Sequence, residues 1–317
     1  MCAEPIEDRT APGARPEAGG RVPAPIRALR PVQWLKNALL LVPLLLVHRA
    51  GEPDLLARAL VAALLFCAAA SAGYLLNDLL DAAADRQHPR KRHRPLASGE
   101  LAPAGAARLA LGLAGGAVGL GTRLGTPFAG MIALYLLLAG AYSAVLKRIA
   151  VVDVLVLAGL YTHRVLAGGV ATGVPVSPWL LVFCLFFFTS LALAKRSVEL
   201  RGLRGRELAR IPGRGYASGD LGLLEAAGLA SGYLAVLVIG LYVNFDAARA
   251  LYRSPELLWG ICPVMLFWVT RVWLLVRREA LHDDPLVFAV RDRTSYLAGA
   301  LVVALAWLAS RGLPGAA

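Results

Sequence analysis

The sequence predicts an all-α polytopic membrane bundle of about nine spanning helices. Three observations carry that prediction. Of 317 residues, 58% are hydrophobic and 17% charged, and the mean hydropathy is +0.61, beyond the usual composition of a soluble domain. About nine apolar runs are long enough, or nearly so, to cross a bilayer. Lys and Arg gather in alternate connections, with about 25 of the 33 basic residues on one side and about six on the other. The basic side, and the N-terminus with it, is expected to be cytoplasmic.

Residues 1–30 are rich in Pro, Ala, Gly and Arg without apolar periodicity, which reads as a disordered cytoplasmic arm. Residues 31–317 then form a single transmembrane domain. No cleavable signal is expected, because the first apolar run begins only after Lys36 and no small-residue cleavage site precedes it. The runs lie near 34–48, 55–77, 104–121, 127–146, 152–172, 177–194, 221–243, 255–276 and 295–311. The third holds Gly112, Gly115, Gly116, Gly119 and Gly121, which predicts close helix packing over lipid exposure. Cys2, Cys67, Cys184 and Cys262 are scattered, without metal-ligand spacing or a disulfide framework. The net charge of +12 suits a basic face against anionic phospholipids and a phosphate-rich substrate. Nucleic acid is not expected, since no soluble basic domain is long enough to carry it, and a homo-oligomer stays open.

The chemistry concentrates where the second run ends. At about 100° per residue, Asn77, Asp78, Asp81 and Asp85 fall within roughly a 100° arc of one helix. Three carboxylates stacked so closely repel each other unless a cation sits among them. Hard oxygen ligands suit Mg²⁺, which takes a few carboxylates and leaves positions for water and substrate phosphates. Pro89 and Pro95 stop the helix. Lys91, Arg92 and Arg94 supply cations for phosphate oxygens. A polar loop with solvated charges is the plain alternative, and the regular spacing of the acids argues against it.

Other polar groups fall where a bilayer disfavours them. Arg164 lies roughly 16 Å deeper than Asp153 on the same face of the fifth span, which makes it a functional candidate. Tyr161 lies close to that face, whereas His163 reads as packing. Tyr142 and Lys147, ahead of the fifth span, read equally well as phosphate contacts or as an interfacial Tyr with a positive-inside Lys. Lys36 and Asn37, beside the anchor Trp34, are candidates too, although Lys36 could simply snorkel. After the sixth span Lys195, Arg196 and Glu199 open a basic loop that continues to Arg210 and Arg214. His282, Asp283 and Asp284 read as solvated surface, and Arg291-Asp292-Arg293 stays undecided.

Asn77-Asp78-x-x-Asp81-x-x-x-Asp85, followed by His88-Pro-x-Lys91 and Arg94-Pro95, resembles the signature of the UbiA superfamily of intramembrane prenyltransferases. That resemblance implies helices around a central cavity, and a diphosphate held through Mg²⁺ at Asp-rich motifs on the cytoplasmic side. Gln33-Trp-x-Lys36-Asn37, Tyr142-Ser…Lys147…Asp153, Arg164-x-x-Ala-Gly-Gly169, Lys195-Arg196-x-x-Glu199 and Arg291-Asp-Arg293 look like the decaprenyl-phosphate phosphoribosyltransferase branch. Members using a prenyl diphosphate usually carry a second Asp-rich motif after the sixth span; here Lys195, Arg196 and Glu199 stand there. The resemblance implies transfer of 5-phosphoribose from phosphoribosyl pyrophosphate to a polyprenyl phosphate. Asp78, Asp81, Asp85 and Asn77 would hold Mg²⁺ on the diphosphate, with Lys91 and Arg94 clamping it. Lys36, Lys147, Lys195 and Arg196 would meet the other phosphates. Tyr142, Asp153 and Arg164 would line the pocket, and Glu199 would take a ribose hydroxyl or a second metal. The rival expectation is prenyl transfer from a prenyl diphosphate to an aromatic or lipid acceptor; an anionic-lipid transporter fits less well, because the acids cluster once, at one surface.

Overall fold

A computed structural model describes residues 22–87, 91–202, 211, 213–281 and 284–311. Among these described residues eight helices are long and apolar enough to cross a membrane, and a shorter apolar segment, Pro31–Leu46, precedes them. Among the described residues no strand occurs.

Residues 1–21 lie outside the described residues, and the rest of the expected arm contains helix α1, Ala24–Leu29. It packs against α3 and buries Ala28. The chain then reverses through Arg30, whose φ of 54° is left-handed. A non-glycine residue ahead of proline takes that conformation only at a cost, which its surroundings must hold in place. Pro31–Leu41 winds as a 3-10 helix and continues into α2, Val42–Leu46. At about 2.0 Å per residue in the 3-10 part and about 1.5 Å in the α part, these residues reach about 30 Å, near the hydrocarbon thickness. The tight winding lets a short segment do the work of a span. It also eclipses side chains three apart, so Gln33 and Lys36 share one face while Trp34 and Asn37 share the next. Gly168 admits this segment: a Cβ there would stand 2.0 Å from the Leu40 carbonyl oxygen.

Helix α3, Pro53–Gln87, has 35 residues and at about 1.5 Å each runs about 52 Å. That exceeds the bilayer core by about 20 Å, so its acidic last turns stand clear of the apolar slab. α4 (Pro103–Gly121) and α5 (Thr126–Ala144) pack on it. The glycine face of α4 does not do what its composition predicts. A Cβ at Gly112, Gly115, Gly116 or Gly119 would meet nothing within 4 Å, and only Gly121 abuts another helix, at Ile132 and Ala129. Small residues permit close approach but do not compel it, and the apolar surface they leave is as well satisfied by lipid.

α6 (Val152–Thr172) and α7 (Pro178–Arg201) form the other wall, followed by α8 (Leu221–Val243). The short α9 (Asp246–Leu251) leads to α10 (Ile261–Arg277), then α11 (Pro285–Ala289) and α12 (Arg293–Arg311). One apolar cluster joins α6, α7, α8 and α10, and a second joins α3, α5 and α6. α6 belongs to both, and between the two clusters a polar cavity opens.

Candidate active site

The cavity holds about 330 Å³. Its floor and walls come from the 3-10 segment, α3, α5, α6 and α7, with Lys91, Arg94, Arg214 and Asp284 contributed by connections. Basic residues dominate the lining. They are Arg30, Lys36, Lys91, Arg94 and Lys147 from the first half of the chain and Arg164, Lys195 and Arg214 from the second. Against these eight stand three carboxylates, Asp81, Glu199 and Asp284.

At the α3 rim each acid has a base. Lys147 Nζ donates to both Asp81 oxygens at 2.8 and 2.7 Å and to Asn77 Oδ1 at 3.2 Å. One turn away, Arg94 Nη1 bridges Asp78 Oδ1 at 3.1 Å and Asp85 Oδ2 at 2.6 Å. Arg30 also donates to Asp78, which explains how the strained turn before Pro31 is held. Asp78 and Asp85 are buried and stand behind the lining, whereas Asp81 and Asn77 face the cavity. Burial lowers the Lys91 pKa from its ordinary value, the more so beside Arg94, against the pull of Asp85.

A second cluster backs the opposite wall. Asp153 accepts from Arg196 Nε and Nη2 at 2.5 and 3.0 Å, from Tyr142 Oη at 2.7 Å and from Arg214 Nη1 at 3.1 Å. Arg196 also donates to Glu199 at 2.7 Å. An acid in the first turn of α6 suits the helix dipole. The turn ahead of it is strained: Val151 has a φ of 67°, an outlier for a β-branched residue. Its amide donates to Tyr216 Oη at 2.9 Å. The post-α7 loop docks on this turn at Gly215, where a Cβ would stand 2.7 Å from Arg148 O and Ala150 N. That docking delivers Arg214 to the site.

Deeper, Arg164 is 4% exposed and donates to Asn37 Oδ1 at 2.9 Å, to Leu160 O at 2.5 Å and to Tyr135 Oη at 2.9 Å. Its charge also stacks over the Tyr135 ring at 4.8 Å. Asp284 Oδ2 accepts from Lys36 at 2.8 Å and Lys195 at 3.0 Å. Burial alone would raise the Asp284 pKa, yet Lys195 and Lys36 hold it well below the usual carboxylate range.

Of the residues expected in the site, Lys36, Asn77, Asp81, Lys91, Arg94, Tyr142, Lys147, Arg164, Lys195 and Glu199 line the cavity. Asn37, Asp78, Asp85, Asp153 and Arg196 support it from behind. Asp284 corrects the expectation of a solvated surface, because its carboxylate is a buried part of the site. Its neighbours His282 and Asp283, with His88, Pro89 and Arg210, lie outside the described residues. Arg30 and Tyr135 were not anticipated; the only available signal for Arg30 was its position just before the Pro31–Asn37 motif. Of the undecided group, Asp292 binds Arg271 at 2.7 and 3.0 Å and anchors the start of α12.

The oxygen set at the α3 rim fits a divalent cation. The Lys147 ammonium already sits among Asp81 and Asn77 oxygens where a cation would be coordinated, and the buried Asp78 Oδ2 has no hydrogen-bond partner. Among the described residues no three acidic, His or Cys side chains converge into a closed cage. Mg²⁺ typically needs only one or two carboxylates and completes its shell with water and phosphate oxygens.

Fold and site together define a multi-pass membrane protein with a polar, strongly basic cavity opening at one rim of its helices. The chain belongs to the UbiA prenyltransferase family, whose model matches residues 38–291. It is 38% identical to an uncharacterized protein, y4nM, of Sinorhizobium fredii over 90% of this chain, spanning 56% of that protein's length. It is 38% identical to the nodulation protein NoeC of Azorhizobium caulinodans, covering 84% and 87% of the two chains. The decaprenyl-phosphate phosphoribosyltransferase of Mycobacterium tuberculosis is 33% identical, over 90% and 92%. In fold the chain matches a UbiA homolog from Archaeoglobus fulgidus bound to GPP and Mg²⁺, with a TM-score of 0.68 at 15% identity over 91% and 100% of the two chains.

Proposed function

We propose that this chain transfers 5-phosphoribose from phosphoribosyl pyrophosphate to a polyprenyl phosphate and releases pyrophosphate. One observation carries the reading: eight basic side chains line the cavity against three carboxylates. Asp78, Asp85 and Asp153 behind the lining offset Arg30, Arg94 and Arg214, and the basic excess that remains, with Lys36, Lys195 and Arg164 beside Asp284, suits more phosphate than a prenyl diphosphate brings. Phosphoribosyl pyrophosphate adds a separate phosphomonoester to its diphosphate, and the lipid acceptor adds another, each worth about two negative charges. The name borne by the Mycobacterium tuberculosis relative supports the same reading.

In this mechanism Asn77 and Asp81 would hold Mg²⁺ on the diphosphate, with Asp78 and Asp85 close behind. When bound, the metal neutralises charge on the departing group. Lys91, Arg94 and Lys147 meet the pyrophosphate oxygens with charge-assisted hydrogen bonds. The C1–O bond of ribose breaks with its electron pair leaving on pyrophosphate, and an oxygen of the lipid phosphate attacks C1 from the opposite face. That oxygen is already ionised, so the step needs no general base. Asp153, Tyr142 and Arg196 fix the wall on which Arg214 and Glu199 sit. The Lys and Arg bias supports a cytoplasmic orientation for this rim, in the cell's inner membrane.

The test supplies the purified protein with Mg²⁺, labelled phosphoribosyl pyrophosphate and polyprenyl phosphate, and follows label into lipid. A second reading, prenyl transfer from a prenyl diphosphate, is favoured by the family's description and by the GPP-bound neighbour in fold. Label staying in water, while a labelled prenyl diphosphate reacts with an aromatic acid, would decide for that reading.

A further inference from the structure

The connection between α5 and α6 serves both walls of the cavity. Lys147, within it, reaches Asp81 and Asn77 on α3. Asp153, in the first turn of α6 just beyond it, accepts from Arg196 and Arg214. Between the two lies Val151, with φ 67° and ψ −50°, and the Val152 amide donates back to the Ala150 carbonyl at 2.8 Å. That is a γ-turn with positive φ at its centre, a rare and strained form, and the central residue is β-branched, which strains it further. Glycine would take the same angles freely. The Val151 side chain is 60% exposed, so packing does not account for a valine here.

A strained residue persists only where its surroundings over-determine it, and three consecutive residues of the post-α7 loop do so. Arg214 donates to Asp153. Gly215 lies so close to Arg148 O and Ala150 N that a Cβ would overlap them. Tyr216, 2% exposed, accepts from the Val151 amide at 2.9 Å. The tyrosine is fixed in turn by the Ile211 amide, which donates to its carbonyl at 3.1 Å. Tyr216 does not line the cavity. With glycine at 151 the turn would hold itself; with valine it depends on the tyrosine. We propose that Tyr216 is a positioning residue for Lys147 and Asp153, its hydroxyl holding the Val151 turn that sets one on the α3 rim and the other on the opposite wall. The two walls thus share a control point outside the cavity. That a diphosphate is what they receive rests on the function proposed above; the control of the turn does not.

The experiment compares the full chain in lipid nanodiscs as wild type, Tyr216→Phe, Val151→Gly and the double variant. Hydrogen exchange of segment 145–153 is followed without ligand, and the affinity for inorganic pyrophosphate is measured by calorimetry with Mg²⁺ present. Tyr216→Phe keeps the ring and removes the acceptor. With valine at 151 it should speed exchange and weaken pyrophosphate binding, each about tenfold, and with glycine at 151 change either by no more than about twofold. Packing lost around residue 216 would be felt equally in both backgrounds, so rescue by glycine separates the held turn from a merely structural tyrosine. Equal effects in the two backgrounds, or none in either, overturn the inference. If Tyr216→Phe is too unstable to purify, a double variant that folds and binds as Val151→Gly does supports it, and one equally unstable overturns it. Exchange that responds as stated in a protein that binds no pyrophosphate removes the proposed function and keeps the positioning role. Exchange that responds while pyrophosphate affinity stays flat across all four proteins removes the positioning role alone.

Discussion

Asp153 and Arg196 offer the sharpest test of how the cavity wall is held. Both side chains are 0% exposed, and neither lines the cavity. Stranding one member of such a pair costs about 3–5 kcal/mol, a large part of a total stability of about 5–15 kcal/mol. Asp153→Asn keeps one acceptor oxygen for Tyr142 but leaves the Arg196 charge without its nearest partner, so a loss of about 3 kcal/mol is expected. Arg196→Met leaves Asp153 with Tyr142 and Arg214, the latter at 3.1 Å, and should cost about 2–3 kcal/mol. The double variant strands neither charge and should recover about 2 kcal/mol of the summed loss. The assay is reversible unfolding in mixed micelles, followed by tryptophan fluorescence. Losses adding to within about 0.5 kcal/mol would show that the two residues do not act as a unit and would refute the reasoning.

Other expectations follow from the same geometry. Asp81→Asn should lower turnover by about a hundredfold or more while insertion into membranes is unchanged; an undiminished rate would take Asp81 out of the metal-binding set. Gly168→Val should cost about 3 kcal/mol or more, because its Cβ would overlap the Leu40 carbonyl, and the yield of folded protein on gel filtration reads this directly. The Lys91 pKa is lowered from 10.5, chiefly by burial, so its charge is lost sooner as pH rises. Activity should therefore fall on the alkaline side below that value, and Lys91→Arg should move the limb upward in a pH–rate profile. Lys147→Gln should bind Mg²⁺ more tightly in the absence of substrate, measured by calorimetry, and turn over more slowly.

The parts of this molecule legible in the sequence are those written locally. Apolar runs mark the spans because a bilayer demands them, and the 100° step places Asn77, Asp78, Asp81 and Asp85 on one side of α3 without any tertiary information. Pairings across long separations are not written that way. Asp284 meets Lys36 across 248 residues and Lys195 across 89, so a linear reading sees only a charged loop. Arg30 follows a Pro- and Arg-rich stretch, and its place in the site depends on one left-handed φ. The 3-10 winding of Pro31–Leu41 is likewise hidden, since a short apolar run has the same appearance in either helix. On α4 the composition misleads, because glycine permits contact without supplying any attraction.

The two walls of the cavity divide labour by how firmly their charges are held. Arg196 and Asp153 are locked in a buried lattice of hydrogen bonds, and releasing either would leave a naked charge. Lys147, Arg94 and Arg30 instead pair with acids at a rim that water reaches, with the guanidiniums of Arg94 and Arg30 about a quarter exposed. There one ion pair can be traded for another at small net cost, since each charge passes from one partner to the next. Under the proposed function such a trade would let Asp81 and Asn77 hold a divalent cation while Lys147 turns to a phosphate oxygen. A site built this way stores no large unbalanced charge when empty and needs little rearrangement when filled.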